Sequence, residues 1–270
     1  MKLAEVLRAA TEYLERKGID RPRLDAELLL AHALGLTRLE LYTEHDRRLS
    51  EEERAAARAL VERRGRREPL AYVLGEWGFR RLTLRTDARA LVPRPETEIV
   101  VERALALMEG VASPRMLDVG TGGGAIALAI ASERPDARVT ATDSSAAALA
   151  LTRENADRLE LDVELVQTNL LDGLAGPFDL VVSNPPYVLP EEDLLPELTF
   201  EPRAALIDEG QTEELARAAR AILDGWLVLE VHEQRAAYVA TALDELGYAD
   251  ATITRDLAGK DRVVEARWTP

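Results

Sequence analysis

Asn184-Pro185-Pro186-Tyr187 is where the residue types of this chain most plainly promise chemistry. The apolar run Phe178-Asp179-Leu180-Val181-Val182-Ser183 before it reads as a buried strand. Neither proline can extend that strand, because each lacks an N–H and has a fixed φ. The chain is stiffened at a strand end, the edge where open α/β sheets bind ligands. One amide, two backbone carbonyls and one aromatic ring are held there. An amide or aromatic amine is a poor nucleophile, because its lone pair is delocalised. Acceptors on both of its N–H bonds would free that pair. The side-chain oxygen of Asn184 suits one and the carbonyl of Pro185 the other, with Pro186 bracing the turn and Tyr187 packing on the flat face. Catalysis would then be alignment plus hydrogen-bond polarisation, with no strong base. The plain alternative is a Pro-Pro turn with a capping Asn and a core Tyr.

A second loop upstream argues against that plain reading. Asp118-Val119-Gly120-Thr121-Gly122-Gly123-Gly124 joins a strand to a helix. Glycines there let a ligand approach the backbone at a helix N-terminus. About twenty residues on, the next strand ends at Asp143, where a carboxylate can accept from two ribose hydroxyls. Together these say nucleoside cofactor. The Gly-x-Gly-x-Gly spacing leans toward a methyl donor, S-adenosyl-L-methionine, but spacing alone leaves NAD open.

The elements that must position these loops follow from periodicity. Residues 1–68 read as a small helical bundle. Leu3, Val6, Leu7, Ala10 and Leu14 form one stripe, and Pro22 and Gly35 bound a second helix. Thr37 with Glu40, and Ser50 with Glu53, match capping boxes. Residues 69–95 read as a hairpin connector from Leu70 onward. Residues 96–270 read as the catalytic domain, opening with a helix from Thr97 to Met108. Strands and helices then alternate: Met116–Val119, Ala125–Ser132, Val139–Thr142, Ala146–Arg158, Val163–Val166, Leu180–Ser183, a helix Thr212–Leu223, a strand Leu227–Leu229 and a helix Gln234–Leu246. Alternation predicts an α/β fold with a mostly parallel sheet covered on both faces. Ala251–Thr254 and Arg262–Ala266 flank Gly259 with no helix between, which predicts a terminal antiparallel pair.

Composition narrows the partners. Lys+Arg 34 against Asp+Glu 49 leaves a net charge of −15, a field that repels phosphate backbones and anionic membranes. With no Cys and only His32, His45 and His232, neither a thiol nucleophile nor a metal site is expected. The N-terminus has no long apolar stretch, and no run approaches the ~18 residues of a membrane span. A cytoplasmic protein is expected. The basic run Arg63-Arg64-Gly65-Arg66-Arg67 is either a contact for a partner or ribosomal RNA or, the plainer reading, a solvated helix end; His232 either touches cofactor or substrate or, more plainly, is a solvated loop residue. Pro95 with Glu96 and Glu98 reads, on the plain view, as a helix cap, where the macrodipole favours acids.

The order of glycine loop, Asp143 and Asn184-Pro185-Pro186-Tyr187 resembles S-adenosylmethionine-dependent N-methyltransferases. The flanks resemble the HemK-like release-factor glutamine N5-methyltransferases: Pro69 to Gly75 with Phe79, Leu91 to Glu98, Glu201 to Leu206, and Asp256 to Arg262. The resemblance spans nearly the whole chain. It implies a class I, Rossmann-like methyltransferase domain behind an N-terminal helical bundle that docks the partner. It implies methyl transfer to the glutamine of a Gly-Gly-Gln motif in bacterial class I peptide chain release factors. Gly120, Thr121, Gly122, Gly123, Gly124, Asp143 and Asn184 would hold the cofactor, with Asn169-Leu170 bordering the adenine, and Arg94 with Glu96-Thr97-Glu98 would close over the acceptor site rather than only cap a helix. Departures include Gly123 for a hydroxyl residue and His232 for a Gly. Adenine-N6 methylation of nucleic acid, which uses a similar loop, is the alternative. A monomer without stable nucleic-acid binding is expected.

Overall fold

The computed structural model describes residues 1–190 and 193–270. The chain forms two compact units: Met1–Glu76 with Leu194–Phe200, and Trp77–Asp193 with Glu201–Pro270.

The first unit is helical. It comprises α1 (Leu3–Arg16), α2 (Pro22–Leu34), α3 (Arg38–Thr43), α4 (Glu51–Gly65) and α5 (Leu70–Leu74). Leu3, Leu7 and Leu14 from α1 meet Leu29 and Leu30 from α2 and Val61 from α4 in one core. Both capping boxes form: Thr37 and Ser50 accept from the backbone of Glu40 and Glu53, whose side chains reach back. Gly35 ends α2 in the left-handed conformation, at φ 64°.

Two expectations are corrected here. Leu70–Leu74 is a helix, not the start of the hairpin. Pro69 starts it, Gly75 ends it at φ 76°, and Val73 packs into the bundle core with Leu70 and Leu74 against it. The basic run is not a solvated end. Arg64, 8% exposed, donates to Asp25 (2.7 Å) and Glu197 (3.1 Å), Arg67 to Glu197 (2.8 Å), and Arg63 to Glu68 (3.0 Å). Three of these four arginines neutralise acids of their own unit; Arg66 stays exposed.

The second unit opens with a hairpin, β1 (Glu76–Phe79) and β2 (Leu82–Arg85). A short 3-10 turn, Pro95–Thr97, leads into α6 (Glu98–Leu107). There follow β3 (Arg115–Val119), α7 (Ala125–Glu133), β4 (Arg138–Asp143), α8 (Ala146–Leu159), β5 (Glu164–Gln167) and β6 (Phe178–Ser183). The last elements are α9 (Gln211–Ala219), β7 (Leu223–Glu230), α10 (Ala236–Glu245), β8 (Ala249–Arg255) and β9 (Asp261–Trp268). The sheet order is β5-β4-β3-β6-β7-β9-β8. The first five are parallel, and β9 runs antiparallel to β7 and β8. This is a class I, Rossmann-like methyltransferase fold, α/β with a terminal antiparallel pair.

Strand alternation sorts the core. Met116, Leu180, Val182 and Val228 pack with α6, α7 and α8 on one face. Leu117, Val181, Leu227 and Leu229 pack with α9 and α10 on the other. Leu223, expected to end a helix, instead begins β7. It pairs with Phe178, and the Phe178 N–H donates to Ile222 O at 2.7 Å, so the sheet captures those residues. No helix among the described residues is long and apolar enough to cross a membrane.

Candidate active site

Parallel pairing puts the ends of four strands at one edge. Val119 lies opposite Thr142 and Ser183, and Ser183 opposite Leu229. The residues that follow, Gly120, Asp143, Asn184 and Glu230, therefore emerge side by side. The Ser183 hydroxyl donates to Val119 O (2.7 Å), tying the acceptor strand to the glycine strand.

A cleft of ≈ 290 Å³ opens at that edge. Gly120, Thr121, Gly122 and Gly123 line it, as do Asp143, Asn169, Leu170, Asn184, Pro185 and Pro186. Of the candidate residues, Gly124 and Tyr187 do not line it. Gly124 turns beneath the loop: φ is 88°, and a Cβ there would stand 2.8 Å from both Leu128 and Thr152. Tyr187 lies with its ring centroid 6.2 Å from that of His232, tilted by 44°. His232 is a half-buried loop residue beside it, less solvated than expected. Burial raises the pKa of the Tyr187 phenol.

The glycine loop is held from below by α8. The Thr152 hydroxyl donates to Gly122 O (2.7 Å), and Asn155 Nδ2 to Gly123 O (2.9 Å). Asn155 Oδ1 accepts from the Arg85 N–H (2.7 Å). Both residues are fully buried. Sequence reading missed them; the available signal was two polar residues, three apart, on the inward stripe of a helix otherwise facing the core.

The loop closes on two acids. Asp143 Oδ2 accepts from the Gly122 N–H (2.9 Å), and Oδ1 from the Ser145 N–H (2.8 Å). A carboxylate has about four acceptor positions, so Asp143 keeps capacity for two further donors. Beneath the loop, Asp118 Oδ2 accepts from the Thr121 hydroxyl (2.6 Å) and the Ala127 N–H (3.1 Å). Burial raises the Asp118 carboxyl to about 7, and the nearby Asp143 charge adds to the rise.

These residues fit a nucleoside-bearing methyl donor. At Gly120, φ is 71° and a Cβ would meet nothing within 4 Å, so the backbone faces open space in the cleft. Asp143 retains two acceptor positions, and Leu170 supplies an apolar wall. When bound, S-adenosylmethionine supplies a methyl group on a positively charged sulfur.

The acceptor side is equally braced. Asn184 Nδ2 donates to the Thr97 hydroxyl (3.1 Å). Val188, just past the loop, exchanges backbone bonds with Leu206 (2.9 Å) and Asp208 (2.8 Å). Glu201, 6% exposed, accepts from the Val92 N–H (3.0 Å) and Arg94 Nη2 (2.6 Å). That fixes the Val92-Pro93-Arg94 wall of the cleft, so Arg94 serves the wall while Pro95 and Glu96 form the 3-10 turn. Among the described residues, no cluster of His, Asp and Glu could hold a metal ion.

The same organisation is found in known proteins. The chain is 44% identical over 278 residues to the release factor glutamine methyltransferase of Deinococcus radiodurans, covering 99% of each. It belongs to the release factor glutamine methyltransferase family. The Rhodopirellula baltica relative of the same name is 42% identical, over 96% of this chain and 94% of that one. Residues 5–75 match the PrmC N-terminal domain and residues 97–218 the methyltransferase small domain. Solved structures share the fold. A Pyrococcus furiosus methyltransferase aligns with a TM-score of 0.51 at 20% identity, over 69% of this chain and 89% of that one. A Thermus thermophilus 16S rRNA methyltransferase solved with AdoMet and guanosine gives 0.53 at 19% identity, over 71% and 49%.

Proposed function

We propose that this chain transfers a methyl group from S-adenosylmethionine to the side-chain amide nitrogen of the glutamine in the Gly-Gly-Gln motif of class I peptide chain release factors. One observation carries the reading. In a chain matched end to end by release factor glutamine methyltransferases, the glycine loop and the acceptor loop line one cleft.

The chain's own groups account for the chemistry. Asn184 turns its Nδ2 to Thr97, which leaves Oδ1 to accept from one N–H of the substrate amide. The carbonyl of Pro185 accepts from the other. Two acceptors on a carboxamide weaken its conjugation and aim its lone pair along the line of transfer. Pro185 and Pro186 keep those acceptors from drifting. Once the nitrogen is alkylated it is acidic, and its proton passes to water. Tyr187 does not line the cleft and stands beside His232; its ring would pack on the flat face of the amide only once the substrate is seated. Gly120 to Gly123, Asp143, Asn169 and Leu170 hold the cofactor, and Gly124 sets the turn that lets them.

The helical unit docks the release factor in this reading, the protein acts as a monomer in the cytoplasm, and nucleic acid is not a stable partner. The net charge of −15 supports the last point. Mass spectrometry of a release factor incubated with the protein and S-adenosylmethionine tests the assignment. The expected result is one added methyl on the Gly-Gly-Gln peptide; an unchanged peptide sinks it.

A further inference from the structure

Glu230 ends β7 next to Ser183-Asn184 at the end of β6. It is 1% exposed, and among the described residues no donor reaches hydrogen-bonding geometry with either of its carboxylate oxygens. It does not line the cleft. The neighbouring Thr97 hydroxyl favours its charged form. Thr97 is itself 4% exposed, lines the cleft and accepts from Asn184 Nδ2. A hydroxyl that accepts in this way still has one proton to place. The buried acceptor beside it is Glu230.

We propose that Glu230, acting through Thr97, is a positioning residue that decides which end of the Asn184 amide faces the substrate. The inference rests on the acceptor role given to Asn184 above. A side-chain amide has two nearly isosteric orientations. One shows its oxygen to the substrate N–H; the other shows an N–H to an N–H and blocks binding. With Glu230 charged, the Thr97 hydroxyl turns its proton toward the carboxylate, its oxygen faces Asn184 as an acceptor, and Asn184 must turn Nδ2 inward. With Glu230 protonated, the carboxyl can donate to Thr97, whose own proton is then free for Asn184 Oδ1. The wrong orientation is no longer excluded.

Burial raises the Glu230 carboxyl to about 7, so both forms exist in the neutral range. The groups facing it are Arg262 on β9, Arg94 and Glu96 before α6, and Tyr187 on the acceptor loop. The two arginines favour the charged carboxylate and Glu96 opposes it.

The test compares wild type, Thr97→Val, Thr97→Ser and Glu230→Gln by steady-state kinetics on a release factor across pH, at saturating S-adenosylmethionine. Calorimetry of S-adenosylmethionine binding checks that each variant is folded. Thr97→Val should lower kcat by roughly 10- to 100-fold, and Thr97→Ser by no more than about threefold, with methyl-donor affinity little changed. Wild-type kcat should rise with pH through the neutral range, and Glu230→Gln should flatten that limb. If Thr97→Val does not bind the methyl donor, Thr97→Ser and Glu230→Gln carry the test alone. A wild-type rate and pH profile in Thr97→Val overturns the proposal. So does a Thr97→Ser rate as low as that of a folded Thr97→Val, or a neutral limb that persists in Glu230→Gln. If wild type transfers no methyl to the release factor, the underlying assignment has failed, and this inference falls with it.

Discussion

Asn184 and Thr97 are 87 residues apart in sequence, yet the amide of one donates to the hydroxyl of the other over 3.1 Å. The bond joins the end of β6 to the turn before α6. It presents the amide oxygen of the acceptor loop as an unspent acceptor at the cleft.

Removing that oxygen separates the acceptor from the cofactor. Asn184→Ala should lower turnover on the order of 10²- to 10³-fold, the range seen when one polarising group is lost. S-adenosylmethionine affinity should stay within about threefold, because the glycine loop and Asp143 are untouched. Single-turnover kinetics alongside calorimetry would show it. Equal losses in both would mean that Asn184 works mainly on the methyl donor.

The support under the glycine loop makes a different prediction. Asn155→Ala would strand the Arg85 N–H and the Gly123 carbonyl, which the side chain now satisfies. Unpaired buried groups cost ~1–3 kcal/mol each. Thermal unfolding should report a clear loss of stability, with weaker methyl-donor binding. A variant as stable as wild type would show that the loop holds its own shape.

Two glycines of that loop should fail in different ways. Gly124→Ala meets Leu128 and Thr152 at 2.8 Å, at a φ of 88°. It should cost roughly 1–3 kcal/mol of stability. Gly120→Ala meets no atom within 4 Å, at a φ of 71°. It should lose less stability and instead weaken S-adenosylmethionine by about tenfold, because its methyl group enters the space given to the ligand. Melting temperatures and binding isotherms of the pair would reveal whether the two effects separate.

Stability should also carry the signature of Glu230. Burial raises its carboxyl from 4.5 to about 7, so the folded state holds this proton more tightly than the unfolded chain does. Its contribution is fully present below about pH 4.5 and is lost as pH rises through about 7. The full swing is on the order of 3 kcal/mol. Glu230→Gln cannot titrate, so its melting temperature relative to wild type should climb between about pH 5 and about pH 8. A constant difference would place the Glu230 charge in a better-solvated setting.

Much of this was legible in the residues. The strand ends at Val119 and Ser183 follow from apolar runs stopped by Gly120 and by Asn184-Pro185, and the one at Asp143 from a run that gives way to Asp-Ser-Ser; parallel pairing then brings their loops together. The capping boxes at Thr37 and Ser50 were local and so readable. Leu70–Leu74 was not, because five residues carry too little periodicity to separate helix from strand, and packing on the bundle decides. Thr152 and Asn155 were hidden for a related reason. Each is a polar residue whose partner lies on another element, and a single sequence does not show which distant atoms a fold will bring within 3 Å. The charge run at Arg63 to Arg67 misled for the same cause: the acids that satisfy Arg64, Asp25 and Glu197, are far away along the chain.

Leu194–Phe200 belongs to the helical unit although it sits between stretches of the catalytic one. The chain therefore passes between the units three times, at Glu76–Trp77, Asp193–Leu194 and Phe200–Glu201. A fragment cut after Glu76 would be an incomplete module. It would lack Glu197, leaving Arg67 without its carboxylate and Arg64 with only Asp25. The helical unit is thus stitched into the polypeptide rather than appended to it, and exchanging it between relatives would require transplanting two separate pieces of sequence.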